Sequence, residues 1–161
     1  MRTLMGICAS LALLVAVVSA QTTQVTATPV TDTDIQLLRS DVQADKHQII
    51  ADTMQFTDAE STAFWPVYRD YAHDQQVIGD DLVQLIKDYA KSYDGMDDAK
   101  AGDMVQRMIS IENRTLNLRK DYWPKFTKAL GAKRAAKFYQ VDNRLTLIIN
   151  VQLTANIPLL P

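Results

Sequence analysis

The chain has 161 residues, nearly half of them apolar, and its seventeen basic and nineteen acidic residues leave a formal net charge of −2. That size suits one domain with a substantial core. The single cysteine, Cys8, lies in the first twenty residues, so disulfides, thiol catalysis and thiolate metal sites are excluded from the rest.

Residues 1–20 read as a signal peptide. Arg2 gives a positive start, Leu4 to Val18 an apolar run, and Val18-Ser19-Ala20 a small-residue cleavage site before Gln21. The run is short for a membrane span and has no basic stop-transfer flank. A periplasmic or secreted protein is expected, with no membrane insertion after cleavage. Residues 21–33 are rich in Thr, Gln and Pro without an apolar period, and read as a disordered leader. Residues 34–161 form a single helical domain on this reading.

The domain is expected to be all-α, with a long antiparallel hairpin flanked by two further helices. The first helix spans about 34–53, carrying Ile35, Leu38, Val42, Ile49 and Ile50. Thr57-Asp58-Ala59-Glu60 has the form of a capping box, with Phe56 placed as a hydrophobic staple. The second helix runs over about 58–93 and ends at Asp94-Gly95, where glycine tolerates positive φ. The third runs over about 98–128, after the acidic start Asp97-Asp98, and the fourth over about 132–155, after Leu130-Gly131.

Phe64, Tyr68, Tyr71, Gln75, Ile78, Leu82, Leu85 and Tyr89 recur at spacings of four and three. Ala101, Met104, Met108, Ile111, Thr115, Leu118, Tyr122 and Phe126 answer them, the 3.5-residue repeat of helices packed along a seam. Folding about Gly95 makes facing residue numbers sum to about 190. Phe64 then meets Phe126, Tyr68 meets Tyr122, and Trp65 flanks Phe126. Asp74, Asp81 and Asp88 fall opposite Arg114, Arg107 and Lys100, and Gln75 faces Thr115 to fix the register. Pro66 and Pro124 are expected to produce matched kinks at the open end. Phe56 and Phe64-Trp65 share their spacing with Leu130 and Phe138-Tyr139, which fits either a duplicated hairpin or a common way of starting an amphipathic helix.

Charge is divided along the chain. Residues 21–104 hold sixteen acids and six bases, residues 105–161 three acids and ten bases. The bases are interleaved with core positions, which favours attraction between the halves over nucleic-acid binding.

Catalytic groups do not assemble. His47 and His73 belong to no metal-ligand spacing, no phosphate loop or nucleophile elbow occurs, and Glu60 and Glu112 are absorbed by a cap and a flank. No enzyme activity, cofactor or metal is expected. Met104 and Met108 lie one turn apart, as a soft copper site could use, but they fall on the seam, where methionine fills gaps. Phe64, Trp65, Tyr68, Tyr122, Trp123 and Phe126 gather at the open end of the hairpin. They are either core under the flanking helices or an exposed surface for a partner.

Phe56-Thr57-Asp58-Ala59-Glu60, followed by Phe64-Trp65-Pro66-Val67-Tyr68, resembles the periplasmic Spy/CpxP-like superfamily. Its members open a long helix with a Leu-Thr-x-x-Gln motif. Here Phe56 stands for the leucine and Glu60 for the glutamine, and the second candidate copy at Leu130–Arg134 keeps only the leucine. The resemblance implies a small secreted helical protein, such as an ATP-independent, stress-induced chaperone that dimerises into a curved cradle, with relatives that bind metals. Protein clients or envelope proteins are the partners it implies, with homodimer formation. Two other functions remain open: a metal-binding sensor, requiring His47, His73 or methionines to converge, and a structural or oligomer-forming protein whose aromatics are sealed.

Overall fold

The computed structural model describes residues 45–155 and 157–160. The segments expected to be a signal peptide and a disordered leader, and the part of the expected first helix before residue 45, lie outside the described residues. Among the described residues four α-helices follow in chain order: α1 (residues 45–54 of it described), α2 (Asp58–Ser92), α3 (Asp98–Leu130) and α4 (Ala132–Thr154). The all-α hairpin and its flanking helices are therefore present.

Each boundary has a local cause. The Thr57 hydroxyl accepts from the Glu60 amide and the Glu60 carboxylate accepts from the Thr57 amide at 2.9 Å, completing the capping box of α2. Asp97 caps α3 by accepting from the Lys100 amide at 2.8 Å. Gly131 ends α3 and begins α4 at φ 76° and ψ 154°, a conformation that a side chain strongly disfavours. Two expectations about turns fail. Gly95 does not take positive φ, because the hairpin tip closes as a right-handed 3-10 turn at Tyr93–Gly95. Positive φ falls instead on Gln55, at 47°, between α1 and α2. Phe56 packs on the Phe64 ring at 4.5 Å and on Trp65 rather than on the residue a strict staple would use, Ser61.

The hairpin closes as the repeat requires, with the Phe64 and Phe126 rings 5.6 Å apart. The flanking charges are displaced by one heptad: Asp81 pairs with Arg114 rather than Arg107, and Asp88 with Arg107 at 2.8 Å rather than Lys100. Asp74 accepts from Tyr122 at 2.7 Å instead of meeting Arg114. Side chains lean toward the N-terminus of their own helix. In an antiparallel pair, long polar groups therefore converge from positions whose Cα atoms are offset. Lys100, left out of the ladder, pairs with Asp97 and donates to the Gly95 carbonyl.

Ring contacts show why the open end is tight. Tyr122 meets Tyr71 at 5.3 Å rather than Tyr68, while Tyr68 turns to Phe138 of α4 at 6.0 Å. Trp65 faces α1 rather than Phe126, stacking on His47 at 4.0 Å. Phe138 lies 4.5 Å from Phe126 and 4.9 Å from Phe64, so α4 returns along α3 and roofs the cluster. Cations of α4 hold the C-terminal end of α1: Arg134 donates to the Met54 carbonyl at 2.8 Å and Lys137 to that of Thr53 at 2.6 Å. Those carbonyls are orphans of the helix end, where positive charge is favoured. Pro66 and Pro124 both lie inside helices that continue past them.

Candidate functional site

The six aromatics singled out from sequence separate into two groups. Phe64, Tyr68, Tyr122 and Phe126 are buried, and Phe64 has no exposed surface at all. They form one core with Tyr71, Phe138, Ile50 and Met54, because α1 and α4 supply the cover that two helices lack. Trp65 is half-buried under His47, and Trp123 is 41% exposed. Of the six, only Trp123 and an edge of Trp65 are open to a partner.

Beneath the rings lies a polar cluster that the sequence reading missed. Lys46 on α1 donates to Gln75 Oε1 at 2.9 Å and reaches Asp142 Oδ1 on α4 at 3.3 Å. Tyr71 donates to the other Asp142 oxygen at 2.7 Å, and Gln75 Nε2 donates to the Tyr71 hydroxyl at 3.4 Å. Asp142 is only 2% exposed, so its charge is held by Lys46 and the Tyr71 hydroxyl. Gln75 thus answers α1 rather than Thr115, whose hydroxyl donates to the Ile111 carbonyl of its own helix. The sequence pattern gives no role to Lys46, on the helix expected over about 34–53, or to Asp142, one of three acids among ten bases in residues 105–161. Asp142 lies four residues after Phe138 on the same apolar stripe, which is the one signal that could have found it.

Burial, reinforced by the Asp142 carboxylate, pushes the Tyr68 and Tyr71 hydroxyls well above the ordinary tyrosine range. The Tyr122 hydroxyl is pushed up to about 12 by burial and by its hydrogen bond to Asp74. These groups stay neutral at physiological pH and work as hydrogen-bond donors that fix packing. The cavity bordered by Tyr71, Arg119 and Asp142 is about 10 Å³, too small for an organic ligand.

The outer surface carries a different pattern. On α3, Val105, Ile109, Leu116 and Trp123 are all more than 40% exposed and recur at spacings of four and seven. They form a second apolar line beside the seam. Arg119 interrupts it, with its guanidinium 5.7 Å from the Tyr139 ring of α4. Leu147, Ile148 and Val151 of α4 are likewise exposed. Single exposed apolar residues are ordinary, but aligned ones on adjoining helices form a surface that another protein could cover.

The residues of the metal alternative do not meet. His47 stacks on Trp65, Met54 is fully buried, and Met104 and Met108 pack against the core. Among the described residues no three His, Cys, Asp or Glu side chains lie close enough to hold a metal ion, and no helix is long and apolar enough to cross a membrane. Comparisons with family models, with curated proteins and with solved structures returned no match.

Proposed function

We propose that the protein is a non-enzymatic, protein-binding domain of the bacterial envelope or a secreted space, with the character of an ATP-independent chaperone or stress adaptor. The observation that carries this reading is the exposed line Val105, Ile109, Leu116 and Trp123 on α3. Transient cover of a client's apolar segment by such a line is driven by removal of apolar surface from water. Lys120 and Lys125 beside the line, together with Asp121, give it a polar rim. The signal-like N-terminus and the likeness of the segment at Thr57 to Spy/CpxP-type proteins support the location and the chaperone character.

The test is suppression of aggregation of a denaturing client by equimolar wild type, Trp123→Ala, Leu116→Ser and Trp65→Ala. Wild type should slow aggregation, the two α3 variants should lose most of that effect, and Trp65→Ala should keep it. Client aggregation indifferent to the wild-type protein would remove the chaperone reading.

A further inference from the structure

The segment after α4 does not trail away from the fold. Tyr89 donates its hydroxyl to the Pro158 carbonyl at 2.7 Å, and Tyr93, one helical turn further on, donates to the Leu159 carbonyl at 2.8 Å. The two rings lie 5.7 Å apart, edge to face, at the tip of the hairpin. Leu159 is 88% exposed, so the segment is held by its backbone and not by burial of that leucine. Its described sequence is Ile157-Pro158-Leu159-Leu160.

These facts have one chemistry in common. A proline-containing extended backbone makes no internal hydrogen bonds, so its carbonyls stay free to accept from outside. Hydroxyl donors on adjacent aromatic rings are suited to that task, the rings offering a flat apolar rest and the hydroxyls reading successive carbonyls. Two neutral hydrogen bonds between exposed groups hold weakly, so the bound segment should exchange readily.

We propose that Tyr89 and Tyr93 form a docking site for a proline-containing segment, reading the carbonyls of the proline and of the residue after it. Residues 157–160 fill it in cis, and a peptide of the same chemistry supplied in trans competes for it. The site stands apart from the α3 line and does not rest on the chaperone reading.

The experiment uses the full chain, labelled with ¹⁵N, and reads the backbone order of Leu159 and Leu160 by heteronuclear NOE. Wild type should show values close to those at the end of α4, and the Tyr89→Phe/Tyr93→Phe double variant should fall to values typical of a free tail. Pro158→Ala, which leaves both tyrosines in place, should loosen the tail as well. An excess of acetyl-Ile-Pro-Leu-Leu-amide should then move the wild-type Leu159 amide to its released position, while acetyl-Ile-Ala-Leu-Leu-amide should not. Equal tail order in wild type and the double variant would overturn the proposal. So would displacement by the alanine peptide as strong as by the proline peptide, or no displacement by either.

Discussion

The two ends of the hairpin carry the same heptad but not the same core. At the open end, Phe64, Tyr68, Tyr71, Tyr122 and Phe126 are buried because α1 and α4 close over them. Toward the tip, Ile78, Leu85, Ile111 and Leu118 are buried along the seam, whereas Leu82, Tyr89, Met104 and Met108 are only half-buried. A two-helix seam hides a narrow stripe, and only further helices hide the positions beside it. A repeated pattern therefore names the stripe that packs, while the number of neighbours sets how much of it leaves water. Charge follows the same division: Lys46 and Asp142 pair in the interior of the open end, while Asp81–Arg114 and Asp88–Arg107 pair in solvent along the hairpin.

The largest expected effects lie at the open end. Phe64→Ala should cost ~3–5 kcal/mol in urea unfolding, since a fully enclosed ring leaves a cavity that five aromatic neighbours cannot fill. Half-buried Leu82→Ala, toward the tip, should cost only about 1 kcal/mol. Equal costs would erase the contrast between the two ends.

Asp142→Ala should also cost ~3–5 kcal/mol, because it strands the Lys46 ammonium in the interior. Replacing both partners, as Lys46→Met with Asp142→Leu, should recover much of that loss. A double variant no better than the single one would mean that the pair stabilises the fold by more than mutual compensation.

Gly131→Ala comes next, at about 1–3 kcal/mol. Nothing crowds a methyl group there, so the cost is backbone strain at φ 76° alone. Thermal melting would show it, and Gly95→Ala, at a tip that needs no positive φ, should be tolerated far better.

The smallest effect is alkaline. Burial and the Asp74 carboxylate push the Tyr122 hydroxyl up from 10.0 to about 12, so the folded state holds this proton more tightly than the unfolded chain. Its contribution is intact below pH 10 and declines as pH rises toward 12. Urea midpoints measured across that range should fall, and Tyr122→Phe should make the fall shallower.

Much of the architecture was legible because it is local. The capping box at Thr57, the break at Leu130-Gly131 and the four-three recurrence from Phe64 to Tyr89 each act over a few residues, and the helix limits followed from them. The candidate site was legible only in part. Sequence brought Phe64, Trp65, Tyr68, Tyr122, Trp123 and Phe126 to one end, but it could not say which of them α1 and α4 would cover.

Helix type, length and the direction of the hairpin were set by the sequence alone, since capping, apolar spacing and glycine placement need no distant partner. Tertiary packing decided that Lys46 and Asp142 are an interior pair, that Tyr71 rather than Tyr68 takes Tyr122, and that the ion pairs shift by a heptad. Those outcomes depend on how side chains lean and on which helix roofs which stripe. Such geometry is settled among residues up to 96 positions apart, as Lys46 and Asp142 are, beyond the reach of any local period.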